Sequence, residues 1–254
     1  MGDGIYTALT GAMAQQGALD VVANNVANAA TTGYRADRAV FSEFLAGAQS
    51  AAAKQVPGAG GPPRSDRFVR LDEVVRDVQA GALRRTDNPL DVALQGDGFF
   101  SVQDNNGMRL TRSGNFMLRS DGVLSTSEGL PVLGADRKAI RLPTDGRSIV
   151  INGFGEISVD DQLAARLGVV KVAEPEKLEK LGATYFAPGA DAKLSVVDRP
   201  EVIQGHLETS NVNAVAGLND LITINRSFDA LQRVIETFQK LDERAARELG
   251  SRNS

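Results

Sequence analysis

Apolar and small residues near the start of the chain recur at helical spacing. Their steps alternate between four and three residues, which is the spacing of a helix-packing seam. The seam positions are Ile5, Leu9, Ala12, Gln16, Leu19, Ala23 and Val26. The alanines and glycines around the seam favour close helix packing, and Gly33 supplies a turn that needs positive φ. The pattern therefore predicts a helix over residues 5–28.

The same period returns at the other end of the chain. It predicts a second amphipathic helix over residues 214–249. Its apolar positions are Leu221, Ile224, Phe228, Leu231, Ile235, Phe238, Ala245 and Leu249. Because the first seam is thin and contains Gln16, we expect the two helices to order fully only in an assembly of many copies.

The segment between the helices has a different pattern. Short apolar runs alternate with turn signals over residues 71–202, and Asn105-Asn106-Gly107 and Asp121-Gly122 fit hairpin turns. This pattern is typical of an all-β module. The predicted fold is α+β, with a central all-β domain flanked by N- and C-terminal amphipathic helices whose spacing suits helical, coiled-coil packing.

A Pro/Gly-rich stretch separates the first helix from the β pattern. It holds Pro57, Pro62 and Pro63 among glycines and alanines, and we expect it to hold no regular element. The predicted organisation has four parts: an N-terminal helix and turn over 1–46, a linker over 47–70, a β-rich domain over 71–205, and a C-terminal helical part over 206–254.

Three asparagines lie at the end of the first predicted helix. Asn24 and Asn28 share one helical face and Asn25 lies to the side. An amide both donates and accepts hydrogen bonds, so these side chains could satisfy exposed carbonyl groups of a neighbouring chain. The alternative is that Asn28 only ends the helix and the other two amides are solvated.

Composition removes several classes of function. The net charge is −4, which argues against nucleic acid as a partner, because phosphate-binding faces are rich in Lys and Arg. The chain has no cysteine, which excludes disulfides and thiolate metal sites. No apolar run reaches the ~18–20 residues of a membrane helix. The first basic residue is Arg35, so we expect no cleavable signal peptide.

The sequence contains no convincing catalytic constellation. His206 is the only histidine, and although Ser210 lies four residues on, no serine stands in a nucleophile-elbow pattern. Asp160 and Asp161 are adjacent, so on a strand they would point to opposite sides and could not share acid–base work. We therefore expect no enzyme, no metal site, no cofactor and no small-molecule substrate.

Four collinear segments carry a resemblance to a known family. They are "ANNVANAATTGYRA" from Ala23, "NPLDVALQGDGFFSVQ" from Asn88, "LTRSGNFMLRSDGVLSTSEGLPVLG" from Leu110, and "GHLETSNVNAVAGLNDLITINRSFDALQRVIETFQKLDE" from Gly205. Together they resemble the bacterial flagellar rod, hook and hook-associated proteins. Chain length, the short central region and the C-terminal motif are most similar to a proximal basal-body rod protein.

The resemblance implies a structural subunit of the periplasmic rod of the flagellar basal body. It implies export by the flagellar type III apparatus and assembly with copies of itself and with other rod proteins, the terminal helices forming the inner tube. Besides the seam positions, it implies a set of interface and turn residues. These are Asn24, Asn25, Asn28, Thr31, Thr32, Gly33, Tyr34, Ser210, Asn211, Val212, Asn213 and Arg226. Ala30 stands where many members have serine.

Two alternatives stay open. A distal rod or hook-type axial protein of the same family would share the terminal motifs. A periplasmic β-rich binding module, with helical ends that serve to dimerise it, would instead keep its ligand affinity after residues 1–34 are deleted.

Overall fold

A computed structural model describes residues 2–46, 66–145, 148–175, 178–189 and 192–251. The chain divides into two compact units. The first contains both helices and one strand pair, and the second contains Ala27–Ala36 and Arg76–Asn213. The prediction of two terminal helices around a mostly β middle is confirmed.

The first unit is built on two long helices, α1 (Gly2–Ala27) and α2 (Ala214–Ser251). The predicted bounds of 5–28 and 214–249 lie within three residues of these. Gly4 lies against the ring of Phe238, Gly11 against Leu231, and Gly217 against Val26. As the residue number rises along α1 it falls equally along α2, so the helices are antiparallel.

The seam of α1 differs from the predicted one by about one residue. Ala12, a predicted seam position, is buried, but Ala8 and Ala18, which lay outside the predicted seam, are buried too. The predicted positions Leu9 and Gln16 are exposed. At Gly4 and Gly11 the missing side chain lets Phe238 and Leu231 of α2 approach the α1 backbone. In α2 six positions of the predicted stripe form a half-buried face: Leu221, Ile224, Phe228, Leu231, Ile235 and Phe238. The other two predicted positions, Ala245 and Leu249, have side chains outside the part of the chain that the structure describes.

Two paired strands complete the first unit, β1 (Asp37–Ala46) and β2 (Asp66–Arg76). The sequence pattern placed residues 37–46 in a helix-and-turn part, but they form a strand. The last five residues of the predicted linker lie in β2. The rest of that linker, residues 47–65, lies outside the described residues.

The second unit contains a six-stranded sheet. Its spatial order is β13 (Glu179–Leu181), β14 (Tyr185–Ala187), β6 (Gly107–Thr111), β5 (Phe99–Asp104), β12 (Val169–Val172) and β15 (Leu194–Val196). All of its pairings are antiparallel. The sheet is therefore made of hairpins and longer returns without parallel crossovers.

Smaller sheets surround it. One has three strands, β9 (Ile149–Ile151), β10 (Glu156–Val159) and β11 (Gln162–Arg166), with β10 in the middle. Three pairs join β16 (Glu201–Gln204) to β4 (Val92–Gln95), β17 (His206–Glu208) to β3 (Leu83–Arg85), and β7 (Phe116–Leu118) to β8 (Leu124–Thr126). Strand β17 lies in the part that the sequence assigned to the C-terminal helix.

The core of the second unit lies on both faces of β5. Phe100 and Val102 join the larger apolar cluster, where the Phe100 and Phe116 rings meet edge to face at 5.2 Å. Phe99 points the other way and meets Phe186 at 5.6 Å in a smaller cluster. Alternate residues of one strand therefore bury apolar surface on opposite sides of the sheet.

The hairpin turns confirm some predictions and correct another. Gly107 and Gly122 both have positive φ, as their turns require. Asp160 and Asp161 do not lie on a strand; both have positive φ and form the two-residue turn between β10 and β11. The Asp160 carboxylate accepts a hydrogen bond from the Ser148 N–H at 3.0 Å, which is how a short acidic residue is held in this conformation.

Candidate assembly interface

The segment that follows α1 folds as part of the second unit. The helix ends in a turn in which the Thr31 N–H donates to the Asn28 carbonyl at 3.1 Å and the Thr31 hydroxyl donates to the Asn28 side-chain oxygen at 3.2 Å. Residues 28–34 then run along the second unit as an ordered turn. Asn28 thus ends the helix, in line with the plainer of the two interpretations.

Gly33 lies tightly against the backbone that follows β6. Its φ is +70°, and its N–H donates to the Glu208 carbonyl at 2.8 Å. A Cβ at this position would collide with the backbone of Arg112 and Ser113. Glycine is therefore required both for the conformation and for the space.

Tyr34 and Arg35 anchor the turn. Tyr34 is only 1% exposed, and the Lys180 ammonium lies 4.1 Å from the centre of its ring. The same ammonium donates to the Arg35 carbonyl at 3.3 Å. Tyr34 therefore packs within its own chain, where a cation on the ring face adds to the apolar burial.

Glu208 is a buried carboxylate that joins three segments. It pairs with Arg35 at 2.7 Å and with Arg112 at 3.3 Å, and it accepts the Gly81 N–H at 3.0 Å. Burial lowers the pKa of the Arg112 guanidinium, and the Glu208 charge works against that shift. Guanidinium groups stay protonated in proteins, so two cations share one anion here.

Asn211 holds the chain together where it enters and leaves the second unit. Its side-chain oxygen accepts the Ala36 N–H at 2.8 Å, and its amide group donates to the carbonyls of Asp77 at 3.3 Å and Gln79 at 3.1 Å. All the hydrogen-bonding groups of one amide thus bind three backbone positions. Ser210 lies beside it and accepts the Val212 N–H at 3.2 Å.

Asn25 plays a comparable part in the first unit. Its amide group donates to the Asp37 carbonyl at 2.7 Å, and its oxygen accepts the Asp37 N–H at 2.9 Å. The predicted double role of an amide is therefore present, but towards the start of β1 in the same chain.

The outward faces of the helices carry apolar side chains that the sequence analysis mostly missed. On α1, Tyr6, Leu9 and Met13 are 60%, 46% and 68% exposed and lie away from the α2 seam. On α2, the corresponding residues are Val215, Leu218 and Ile222, which are exposed by 71%, 51% and 53%. We call these sets the α1 patch and the α2 patch. Their spacing of three and four residues was visible in the sequence, but the stronger seam pattern hid it.

The predicted interface residues fall into three groups. Gly33 and Tyr34 are buried in the second unit, and the α2 seam residues are half-buried in the first. Ile5, Leu19, Asn25, Val26, Asn28, Thr31, Thr32, Ser210, Asn211 and Val212 are also half-buried, whereas Leu9, Gln16, Asn24, Asn213 and Arg226 are exposed. Arg35, Arg112 and Glu208 were not foreseen, since nothing in the local pattern marks three distant charges as partners.

The described residues offer little for catalysis or metal binding. The Nδ1 atom of His206 lies 2.9 Å from the Gln204 carbonyl oxygen. Among the residues that the structure describes, no three His, Asp or Glu side chains come together as a metal site. Neither described helix is both long and apolar enough for a membrane span.

Comparisons with known proteins agree on one family. Residues 5–35 match "Flagella basal body rod protein", residues 93–159 match "Flagellar hook protein FlgE/F/G D1 domain", and residues 203–248 match "Flagellar basal body rod FlgEFG protein C-terminal". The chain is 32% identical to the flagellar basal-body rod protein FlgF of Rhizobium meliloti, over 98% of this chain and 99% of the relative.

Two further relatives extend the comparison. The chain is 30% identical to FlgF of Caulobacter vibrioides over all of both chains. It is 28% identical to the rod protein FlgG of Bacillus subtilis, over 93% of this chain and 95% of that one. The ordered turn after α1, the β module and the C-terminal helix thus all coincide with matched segments, and the chain belongs to the family of bacterial flagellar basal-body rod proteins.

Proposed function

We propose that the chain is a structural subunit of the flagellar basal-body rod and that it polymerises through the outward faces of its terminal helices. The observation that carries the proposal is the pair of exposed apolar patches, one on each helix. Exposed apolar surface of this kind marks a site of protein association. Other copies of the chain and other rod proteins are the partners.

The positions of the two patches favour an open polymer over a closed dimer. Gly11 faces Leu231 and Val26 faces Gly217, so Leu218 lies level with about residue 24 of α1. The patches are therefore offset by about 15 residues along the helix pair, or roughly 22 Å. Contact between the α1 patch of one copy and the α2 patch of the next is heterologous, and repeated heterologous contacts build helical filaments.

The strength of one such contact leads us to expect growth only from an existing end. Each patch residue is about half exposed, so its burial contributes about half of the ~1.5–3 kcal/mol of a full side chain. Six residues give on the order of 5–9 kcal/mol, against an association cost of ~4–15 kcal/mol. A single contact therefore holds two free copies weakly, and a subunit that makes several contacts at a rod end is retained.

The proposal includes a non-catalytic role and delivery by the flagellar type III export apparatus. A structural role is supported by family membership, and within the chain the buried Glu208 carboxylate pairs with Arg35 and Arg112. The comparisons give no support to a periplasmic binding module. Among rod proteins, full-length similarity to FlgF relatives favours the proximal over the distal assignment.

The absence of cysteine in the chain permits a direct test of the contact. In flagellated cells the original chain is replaced by a double variant that carries Met13→Cys and Leu218→Cys. Basal bodies are then isolated and oxidised. We expect a ladder of disulfide-linked oligomers, because each copy supplies one thiol to the copy before it and one to the copy after it. Either single variant gives no ladder.

The matched control carries Met13→Cys with Asn219→Cys. Position 219 is also exposed, but it lies about 100° around the α2 axis from position 218. This control should cross-link far less. If a tagged chain never enters basal bodies, the rod function is wrong. If it enters them but the Met13 and Leu218 positions do not cross-link, the rod function stands and the assigned faces are wrong.

A further inference from the structure

An Asn-Gly pair lies at the turn of the hairpin between β5 and β6. The two strands are joined by Asn105 and Asn106, with Asp104 opposite Gly107 in the register. Both asparagines are exposed, and Gly107 has a φ of +125°. The Asn106 side chain makes no hydrogen bond to any residue that the structure describes, so it samples its rotamers freely.

We infer that Asn106 is a site of spontaneous deamidation, a covalent self-modification that needs only water. The reaction depends on the next residue, because the main-chain nitrogen that follows the asparagine is the nucleophile. Glycine has no side chain to block that approach. A Cβ at Gly107 would meet nothing within 4 Å, so the turn is also open to its surroundings.

The chemistry balances without any oxidant or reductant. The Gly107 nitrogen attacks the side-chain carbonyl carbon of Asn106, and a five-membered succinimide ring closes as the carbon–nitrogen bond of the amide breaks. Ammonia leaves with the proton that the Gly107 nitrogen loses. Water then adds to either ring carbonyl and opens the succinimide to aspartate or isoaspartate.

The chain contains an internal control for the effect of structure. Asn-Gly occurs twice in the sequence, at 106–107 and at 152–153. The Asn152 amide group donates to Glu156 at 2.8 Å, and its oxygen accepts the N–H groups of Phe154 and Glu156, each at 3.0 Å. Asn152 must break these bonds before it can react, so its reactive population is lower by on the order of tenfold or more.

The product would change the tip of the hairpin in two ways. A carboxylate at position 106 adds a negative charge two residues from Asp104, which forms an ion pair with Arg109. Isoaspartate also inserts one more backbone carbon into a two-residue turn, and the turn length sets the register of a hairpin. The fraction of chains with aspartate or isoaspartate at position 106 therefore increases with the time since synthesis.

The test incubates the purified full chain at mildly alkaline pH and follows tryptic peptides 86–109 and 148–166 by mass spectrometry. The second peptide contains Asn152 as its only asparagine. In the folded protein we expect position 106 to convert on the order of tenfold faster than position 152 or more. In urea the two rates should become nearly equal. Isoaspartate is identified by enzymatic methylation of the peptide.

Variants separate the local chemistry from the fold. Asn106→Gln should greatly slow conversion at position 106, because ring closure by glutamine is slower than by asparagine. Glu156→Ala should accelerate conversion at Asn152 alone, because it releases part of the hydrogen-bonded arrangement. Folded rates that are equal, a faster rate at Asn152, conversion at Asn105 instead, or a rate ratio that persists in urea would each overturn the inference.

Discussion

The Glu208 carboxylate contacts three segments of the second unit. They are the turn after α1, the β6–β7 connection and the residues just before β3. It is 1% exposed and pairs with two buried guanidinium groups. A buried ion pair adds little net stability when it forms, but removing one partner leaves charge uncompensated in a poorly solvated site. Removal of the Glu208 charge would leave two buried guanidinium groups, Arg35 and Arg112, without their anion.

We therefore expect Glu208→Gln to lower the free energy of unfolding of the second unit by about 3–5 kcal/mol. Urea unfolding followed by tyrosine fluorescence measures this, since Tyr34 and Tyr185 both lie in that unit. The exposed Glu201→Gln is the matched control, with a change below about 0.5 kcal/mol. A loss of less than about 1 kcal/mol in Glu208→Gln would refute the account of the triad.

Tyr185 makes stability depend on alkaline pH. Burial raises the pKa of its phenol, which donates to the Thr126 hydroxyl at 3.0 Å. The unfolded phenol loses its proton near pH 10 and the folded one only at higher pH. The stabilisation is therefore complete below about pH 10 and declines as the pH rises further.

Tyr185→Phe should lose part or all of its stability deficit relative to the original chain as the pH rises. At pH 9 the variant is less stable by about 0.5–1.5 kcal/mol, because the hydrogen bond is lost. At pH 11 that difference shrinks or changes sign, because only the original chain has a phenol to ionise. Urea titrations at both pH values measure it, and a constant difference would show that Tyr185 does not titrate in this way.

At the scale of elements, the α1–α2 contact includes glycines that differ in the room available for a Cβ atom. A Cβ on Gly11 would lie 3.5 Å from Leu231, an ordinary van der Waals distance, whereas a Cβ on Gly217 would lie 2.6 Å from Val26. Glycine inside a helix costs about 0.8–1 kcal/mol relative to alanine. Only at Gly11 can that cost be recovered without a collision.

We expect Gly11→Ala to stabilise the helix pair by up to about 1 kcal/mol and Gly217→Ala to give no gain or a loss. Thermal melts followed by circular dichroism at the helical band compare the two. If both variants raise the melting temperature equally, the antiparallel contact at Gly217 is not as tight as described.

The elements also show how far sequence periodicity reaches. The helices, the β module and the α2 stripe were predictable because apolar side chains repeat at the period of the element. The α1 seam was not, because small residues such as Ala8 and Gly11 carry little hydrophobic signal although they make the closest contacts. Strand β1 was missed because residues 37–46 alternate poorly. At the candidate interface, Gly33 was predictable from turn chemistry, but Arg112 became a partner only through the fold.

At the scale of the whole molecule, the boundary between the units does not follow the end of the helix. Residues Ala27–Ala36 belong to the β unit, and Tyr34 is among its most deeply buried residues. Deletion of α1 alone should therefore leave the second unit intact, whereas deletion that includes the turn removes part of that unit.

A truncation of residues 1–26 should leave the hydrogen-exchange protection of β4, β5 and β12 within about 1 kcal/mol of the full chain. A truncation of residues 1–34 should lower it by on the order of 3 kcal/mol or more, because it removes the burial of Tyr34 and the Gly33–Glu208 hydrogen bond. Equal protection in both truncations would show that the turn is not part of the unit.

Asn211 gives the second unit a mechanical property. Ala36, Asp77 and Asn211 lie where the chain passes out of that unit, the Asp77 N–H donates to the Ala36 carbonyl at 2.8 Å, and the Asn211 amide ties both positions together. Force that reaches the second unit along one of these three chain segments is therefore distributed to the other two through the hydrogen bonds of Asn211.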